Sequence, residues 1–397
     1  MNAVFDRANE TLRPELLEQV QLERLQALLA RLRRNVRRYR ELLDNGRVEA
    51  LADLGHLPVT TPADLVEAFP YGMFALPLRE VVRLHSVVGP SGRQLVIGHT
   101  RNDLQQWGRL VARQLIAAGV TSSDVVQICF GGGFFSQALG YMRGAELTGA
   151  CVIPEDPFHV EYQLELLKNY RATVLITTPT NARDLMELLR LRRIDPQSLQ
   201  LRVVLLSRPV LPAARDELET GLFGQVFCGF GAAEILDPGF CVECSEKQLH
   251  VNEDHFLVEA PGGELQVTTL CREAMPLLRY QTRIAATLER RKCGCGRTGI
   301  LLKPGARLDN LMLVNEMPLY RAQVAEFLAK TRIGAQPFTL EVRERRLDLA
   351  VEVSETVFGD EMRVMAELKS QLQSEFLARF GIEADVRYVA PPGQANR

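Results

Sequence analysis

Apolar residues recur at helical spacing near the start of the chain. Between residues 14 and 45 they form one stripe, made by Leu17, Val20, Leu25, Leu28 and Leu32. Such a stripe is typical of an amphipathic helix that packs on the body of a protein, and we predict one helix over residues 14–45. The other face is basic and carries Arg31, Arg33, Arg34, Arg37, Arg38 and Arg40. A basic face can bind RNA or an anionic membrane, but we interpret this one as the solvated side of a packed helix.

From residue 81 onward, short apolar runs alternate with helical patterns. The runs predict strands over residues 81–87, 94–100, 125–130, 150–155, 172–178 and 201–207. The patterns between them predict helices over residues 102–118, 136–149, 161–169 and 182–191. Strands that alternate with helices in this way indicate a parallel sheet inside a layered α/β fold.

The pattern changes again after residue 263. Two strands, over residues 262–270 and 279–290, indicate a smaller antiparallel subdomain, with CGCGR in a turn. The last part of the chain predicts two strands, a helix and a third strand, over residues 338–344, 346–354, 361–380 and 384–390. We therefore predict an α/β protein with a large N-terminal domain over residues 1–305 and a small α+β C-terminal lid domain over residues 306–397, truncated at its end.

The composition is that of an ordinary globular protein. The chain has 397 residues, of which 46% are hydrophobic and 24% charged, and a chain of this length normally folds as two or three domains. The formal net charge of -2 gives no overall attraction for nucleic acid or for a membrane surface. No apolar run approaches the roughly 20 residues that span a bilayer, and the first residues lack the apolar segment of a signal peptide. We expect a cytoplasmic protein that binds neither nucleic acid nor membrane.

Metal-binding residue types occur in two pairs in the second half of the chain. Cys244 and His250 have five residues between them, and Cys293 and Cys295 have one. Three thiolates and one imidazole form a ligand set that zinc takes in closed structural sites, where four protein ligands leave no open position for catalysis. We predict a structural zinc ion on these four residues. Two alternatives stay open, with Cys241 as a ligand or with thiols that hold no metal.

A glycine-bearing loop lies between the first two predicted strands, in HSVVGPSGRQ. Glycine-rich turns bind phosphate because backbone N–H groups converge on an anion where no Cβ intervenes. The residues that fit this role are Gly89, Ser91, Gly92 and Arg93. Pro90 has no N–H, and the GK[ST] sequence of a Walker loop does not follow. A tight β-hairpin turn explains the same residues equally well.

Two further segments follow predicted strands and carry candidate ligand-binding residues. FGGGFFSQALG lacks a dinucleotide-binding fingerprint, but Gly132, Gly133 and Phe134 suit an apolar or aromatic ligand pocket as well as a plain core. In GFGAAEILDPGFCVEC, Glu234 follows a glycine-bearing loop. A carboxylate in that position can hold Mg²⁺ near phosphate groups.

Together these segments resemble the phenylacetate–CoA ligase family of adenylate-forming enzymes. The resemblance covers nearly the whole chain and includes, in family order, LGHLPVTTPADLVEAF, the glycine loop, HTRNDLQQWGRLVARQL, GFGAAEILDPG, CSEKQLHVNEDHF, GGELQVTTLCREAMPLLRYQTR and CGCGR. It implies an adenylate-forming N-terminal domain, and a lid that rotates between two half-reactions. Family members use ATP and Mg²⁺ to convert a carboxylic acid to an acyl-adenylate, and then transfer the acyl group to CoA. The resemblance also implies the zinc ligands of metal-containing members and suggests a homodimer.

Residue by residue, the resemblance implies a nucleotide site that keeps only part of its framework. The matching residues are Gly89, Ser91 and Gly92 of the loop, Phe230, Gly231 and Glu234 of the GFGAAE segment, and Asp309 of the hinge. The hydroxyl residues of the family loop are replaced by Val87, Val88 and Pro90. Ala233 replaces another hydroxyl residue, and Ile284 stands where the family has the aspartate that binds the ribose. Members usually end in a lysine-bearing tail, whereas this chain stops at Arg397.

These replacements predict that adenylation is degraded or lost. A hydrogen bond to a charged group contributes about 1.5–3 kcal/mol, and several are missing together. The predicted function is therefore that of a pseudoenzyme-like relative that binds a small carboxylic acid, an acyl-CoA or a regulatory protein partner. One alternative is an active acyl-CoA ligase with divergent residues, which needs ATP, Mg²⁺ and CoA. Another is a different transfer that starts from a pre-made adenylate or thioester.

Overall fold

The chain forms two compact units. The computed structural model describes residues 3–43, 48–89, 92–130, 136–315, 317–343, 346–353 and 362–389. The N-terminal unit comprises Met1–Val87 and Leu95–Ala306, and the C-terminal unit comprises Val88–Gln94 and Arg307–Arg397. The tip of the glycine loop therefore belongs to the C-terminal unit. Among the described residues, no helix has the length and apolar character needed to cross a membrane.

The N-terminal unit begins with the helices α1 (Arg7–Glu10), α2 (Pro14–Asn35), α3 (Arg37–Leu42) and α4 (Pro62–Glu67). The helix predicted over residues 14–45 is thus two helices. The break lies at Val36, which is fully buried and has an extended backbone, with φ -110° and ψ 114°. Leu25 and Leu32 of α2 and Tyr39 of α3 all join one core. The extended residue lets the chain turn so that both helices bury their apolar side chains together.

A five-stranded parallel sheet forms the α/β part, after a two-stranded sheet of β1 (Arg83–Val88) and β2 (Gln94–His99). Its strands are β3 (Val125–Cys129), β4 (Cys151–Ile153), β5 (Val174–Thr177), β6 (Val203–Leu206) and β7 (Gln225–Cys228), in the order β4–β3–β5–β6–β7. The accompanying helices are α5 (Arg101–Ala117), α6 (Ser136–Thr148), α7 (Val160–Asn169), α8 (Pro179–Arg192) and α9 (Pro212–Leu222). Val174 and Ile176 join one core, whereas Leu175 joins a second core on the other face. A sheet that is buried on both faces requires continuous apolar runs such as these. The predicted layered α/β fold is confirmed.

A six-stranded sheet with antiparallel pairing follows, in the order β10–β11–β12–β13–β9–β8. Its strands are β8 (Cys241–Glu243), β9 (Leu249–Val251), β10 (Phe256–Glu259), β11 (Glu264–Thr269), β12 (Tyr280–Glu289) and β13 (Leu301–Arg307). The pairs β8–β9, β9–β13, β10–β11 and β11–β12 are antiparallel. The antiparallel subdomain is confirmed, but the sequence pattern identified only β11 and β12. Strands as short as β8 and β9 contain too few residues for a periodic signal.

The C-terminal unit is built around a three-stranded sheet with the order β16–β17–β18. Its elements are β14 (Leu311–Val314), β15 (Met317–Tyr320), α10 (Arg321–Ala329), β16 (Phe338–Arg343), β17 (Arg346–Glu352), α11 (Met362–Phe380) and β18 (Ala384–Val389). Strands β16 and β17 pair antiparallel, and β17 and β18 pair parallel. Leu349, Phe376 and Val386 lie in its core. The predicted strand–strand–helix–strand arrangement is confirmed, and β14, β15 and α10 are additional.

Candidate functional site

The four predicted zinc ligands lie together, and sheet pairing places them. Strands β8 and β9 pair Val242 with His250, and Cys244 directly follows β8. Strand β9 also pairs with β13, so the loop that carries Cys293 and Cys295 lies beside His250. The donor atoms of the four residues all lie within 4.8 Å of one another. Residues far apart in sequence thus form one compact donor set.

The distances in this cysteine–histidine cluster fit a tetrahedral metal site. The Sγ atoms of Cys244 and Cys293 are 3.8 Å apart, and two zinc–sulfur bonds of about 2.3 Å at a tetrahedral angle give nearly the same separation. The Sγ of Cys295 lies 3.3 Å from Nε2 of His250. The other ring nitrogen, Nδ1, is 3.0 Å from the carbonyl oxygen of Gly299. A proton on Nδ1, donated to that carbonyl, leaves the Nε2 lone pair free to bind a metal.

The protonation of the cluster also favours a cation. The hydrogen bond from Cys244, assisted by one from His250, lowers the pKa of the Cys295 thiol to about 3, and the same contact raises the pKa of Cys244. The lowered pKa favours the thiolate of Cys295, and a thiolate is the form that binds metal. Cys241, the alternative ligand, lies in the apolar core with 1% of its surface exposed. It is not part of this donor set.

The glycine loop closes on itself. The N–H of Gly89 donates to the carbonyl of Arg93 at 2.8 Å, and the N–H of Gly92 donates to the carbonyl of Gly89 at 3.0 Å. Gly92 has φ +76°, a conformation that favours glycine, and a Cβ there would lie 1.9 Å from Cγ of Gln323. These bonds are those of a tight turn, which was the alternative to a phosphate cradle. Ser91 lies outside the described residues.

Glu234 lies in a tight loop beside Tyr280. The hydroxyl of Tyr280 donates to Oε1 of Glu234 at 3.3 Å. Earlier in the loop, the ring of Phe230 packs against that of Phe240, with centroids 6.2 Å apart. A Cβ on Gly231 would lie 2.4 Å from a carbonyl oxygen five residues later, so the loop requires glycine there. Phe230 and Gly231 therefore shape the loop that presents the Glu234 carboxylate.

A second carboxylate, close to Glu234, was not predicted. Asp237 accepts a hydrogen bond from Gln137, near the start of α6. Burial raises the pKa of Asp237 to about 7, and the charge of Glu234 acts in the same direction. At neutral pH this carboxyl group is therefore protonated in a large fraction of the molecules and can donate a hydrogen bond as well as accept one. Its sequence context, three residues after Glu234, gives no sign of this burial.

Two histidines and the single tryptophan of the chain pack together beside Asp237. The rings of His99 and Trp107 are nearly parallel, with an angle of 11° and centroids 5.2 Å apart, and His85 lies 5.0 Å from His99. Burial lowers the pKa of His85 to about 4 and that of His99 still further, so both imidazoles are neutral. With Asp237 they line a small polar cavity. Sequence reasoning missed this group because its members come from β1, β2, α5 and a distant loop.

Ile284 and Asp309, at the two other positions compared with the nucleotide site of the family, pack or form hydrogen bonds within their own units. Ile284 of β12 is 5% exposed and belongs to the core of the N-terminal unit. Asp309, in the C-terminal unit, accepts a hydrogen bond from Nε of Arg307 at 2.9 Å and one from the Tyr320 hydroxyl at 3.1 Å. Burial alone raises the pKa of Asp309, but Arg307 holds it below the ordinary value. The described residues do not include Gly132, Gly133 or Phe134.

Comparison with known proteins gives consistent relatives, although no family model matches the chain. The chain is 36% identical to the phenylacetate–coenzyme A ligase of Thermus thermophilus over 426 residues, which cover 98% of this chain and 95% of the relative. It is 31% identical to the phenylacetate–coenzyme A ligase of Escherichia coli K12, with coverage of 96% and 92%. The structure of 2-hydroxyisobutyryl-CoA ligase in complex with 2-HIB-AMP and CoA matches with a TM-score of 0.88 at 20% identity, over 98% of this chain and 90% of that one. At that identity the structural match establishes the fold alone.

Proposed function

We propose that this chain, which belongs to the phenylacetate–coenzyme A ligase family, keeps the adenylate-forming scaffold but has weakened or lost ATP-dependent adenylation of a carboxylic acid. Residues 1–305 are the adenylate-forming domain in this proposal, and residues 306–397 are the lid. The remaining role is one of binding, with a small carboxylic acid or an acyl-CoA as ligand. A second copy of the chain or a regulatory protein is the proposed partner.

The observation that carries this proposal is the closed glycine loop. A phosphate cradle needs several backbone N–H groups that point at the anion. Here the N–H groups of Gly89 and Gly92 donate within the turn, and Pro90 has no N–H to offer. To turn both amides toward a triphosphate would break two internal hydrogen bonds, each worth about 0.5–1.5 kcal/mol. The loop is therefore better suited to join two strands than to hold ATP.

The position of Ile284 supports the same proposal. The resemblance places a ribose-binding carboxylate at this position, whereas the isoleucine side chain lies in the core and offers no acceptor. A polar group that loses its partner on binding costs about 1–3 kcal/mol. Together with the closed loop, this replacement reduces nucleotide affinity by several powers of ten, because each 1.4 kcal/mol is a factor of about ten.

Glu234 favours the alternative of an active ligase with divergent residues. Its carboxylate is oriented by the hydroxyl of Tyr280, and a carboxylate held in this way can bind Mg²⁺ beside a phosphate. In an active enzyme it would be the metal ligand of the ATP complex, and CoA would accept the acyl group. The active-ligase alternative gives Glu234 a catalytic role, whereas the main proposal does not.

We also propose that Cys244, His250, Cys293 and Cys295 hold a structural zinc ion. The sulfur separation, the lowered pKa of Cys295 and the orientation of His250 by Gly299 support it. When bound, zinc cross-links the turn after β8 to the loop between β12 and β13, and four protein ligands leave no position for a substrate. These residues therefore stabilise the fold and take no part in the reaction.

The test is acid-dependent ATP–pyrophosphate exchange with the full-length, zinc-loaded protein. Phenylacetate and a panel of aryl and aliphatic acids are the substrates. We expect no exchange above a protein-free blank. Exchange that falls about 100-fold in a Glu234→Gln variant, but not in the exposed control Glu41→Gln, would establish the active ligase instead.

A further inference from the structure

An open groove lies between helices α5 and α6 of the N-terminal unit. It has a volume of about 400 Å³, and its lining includes Val82, Arg83, Arg101, Leu104, Trp107 and Met142. This volume is in the range of small-molecule pockets, about 300–1,000 Å³. We call it the α5–α6 groove. Within the described ranges, its lining includes none of the candidate nucleotide residues or zinc ligands, and it shares Trp107 with the small polar cavity.

The floor of the α5–α6 groove is apolar because two glycines make room for large side chains. A Cβ on Gly140 of α6 would lie 2.6 Å from Cζ2 of Trp107, and a Cβ on Gly108 of α5 would lie 2.7 Å from Cγ of Arg143. Any larger residue at Gly140 would displace the indole. The glycines thus bring α5 and α6 close together with Trp107 between them, and this packing forms the bottom of the groove.

The α5–α6 groove also carries two positive charges that lack a counter-charge. Among the described residues, Arg83 and Arg101 have no hydrogen-bond acceptor or ion-pair partner, whereas Arg143 pairs with Glu146 at 3.2 Å. Arg83 is half-buried, and burial lowers its pKa. A partly desolvated guanidinium normally has an acceptor. The half-buried guanidinium of Arg83 and the exposed one of Arg101, beside an apolar floor, are complementary to an anion with an apolar body.

We propose that the α5–α6 groove binds a small organic anion, with its carboxylate or phosphate head group on Arg83 and Arg101 and its apolar body on Leu104, Met142 and Trp107. Guanidinium groups bind both kinds of head group through paired N–H donors. The site goes beyond the proposed function, because a ligand here contacts neither the Glu234 loop nor the glycine loop. The fold therefore holds a second ligand site, which adjoins the small polar cavity at Trp107.

The test uses the intrinsic fluorescence of Trp107, the one tryptophan of the chain. The full-length protein is titrated with octanoate, octyl phosphate, octylammonium and 1-octanol. We expect both anions to change the emission saturably and the cation to give no saturable change. In the double variant Arg83→Gln/Arg101→Gln, octanoate affinity should fall at least about tenfold. Arg192→Gln, which removes an exposed arginine at the end of α8, should leave it unchanged.

Two further variants locate the bound anion. Val82→Glu places a carboxylate at an exposed position of the groove and should weaken octanoate binding even if the double variant is unstable. Asp237→Asn alters the small polar cavity and should leave the affinity unchanged. The preference for octanoate or octyl phosphate identifies the head group. No saturable signal, or an affinity that only Asp237→Asn changes, would overturn the proposal. Pyrophosphate exchange is measured separately, so either proposal can fail without the other.

Discussion

The cysteine–histidine cluster and the glycine loop are both built where strands are connected, yet their polar groups are used differently. In the cluster, four donor atoms face one another within 4.8 Å. In the loop, the N–H groups of Gly89 and Gly92 bond to carbonyl groups of the same turn. A ligand site needs polar groups that converge on one point. The donor atoms of the cluster converge in this way, whereas the N–H groups of the loop point at carbonyl groups of their own turn. This difference underlies our proposal that the scaffold persists while the nucleotide chemistry is weakened or lost.

The largest expected effect comes from removing a zinc ligand, since the cluster is proposed to cross-link two loops. In Cys295→Ser, we expect zinc content to fall from about one ion per chain to a small fraction. The midpoint of thermal unfolding should fall by on the order of 10 °C, because metal binding contributes to folding. Metal analysis and calorimetry measure both, with the exposed Cys151→Ser as control. Equal zinc content in the two variants would refute the ligand assignment.

A somewhat smaller loss of stability is expected when the buried ion pair next to the cluster is broken. Arg297, two residues after Cys295, pairs with Glu10 at 2.8 Å, and both side chains are 3% exposed. In Glu10→Ala, a buried guanidinium loses its partner, which costs about 3–5 kcal/mol. Denaturant unfolding measures this. The double variant Glu10→Leu/Arg297→Met should recover most of the loss, because it leaves no buried charge. Full stability of the single variant would contradict this role of the pair.

A third variant changes the glycine loop, and its free energy of unfolding should fall by about 1–2 kcal/mol. Gly92→Ala puts a side chain at φ +76° and next to Cγ of Gln323. Adding Gln323→Ala should relieve the contact but not the backbone strain, so part of the loss remains. Denaturant unfolding of the C-terminal unit measures the difference in stability between the single and the double variant. If Gly92→Ala instead weakened ATP binding while the fold stayed intact, the loop would be a phosphate site after all.

Sequence reasoning succeeded where the signal is local or periodic. Alternation of apolar runs predicted β3 to β6 and their helices, and paired cysteines predicted the cluster, because neighbouring ligands share one turn. Residues such as His99, Trp107 and Asp237 gave no such signal, since only the packing of separate elements brings them together. The break at Val36 was missed for a different reason. One buried, extended residue interrupts an otherwise continuous apolar stripe.

The smallest expected effect is a change in pH dependence. The pKa of Asp237 is raised from 3.8 to about 7, so its contribution to stability is complete below about pH 4 and is lost as the pH rises through 7. His85, with a pKa lowered from 6.5 to about 4, acts oppositely and destabilises the fold as the pH falls below 6.5. Asp237→Asn removes only the first effect.

Relative to the wild type, the free energy of unfolding of Asp237→Asn should therefore rise between pH 6 and 8. The change should be on the order of 1 kcal/mol. Asp216→Asn, at an exposed position of α9, is the matched control and should show no trend. Parallel curves for wild type and Asp237→Asn would show that this carboxyl group titrates normally.

The most direct test of the central claim is a calorimetric titration of ATP–Mg²⁺ into the full-length, zinc-loaded protein, with and without phenylacetate. The closed loop and buried Ile284 predict a flat trace, with no one-site isotherm at micromolar to millimolar nucleotide. Saturable heat with a micromolar dissociation constant would show that the loop opens to hold a nucleotide. The scaffold and its nucleotide binding would then both be intact, and the contrast between the cluster and the glycine loop would not hold.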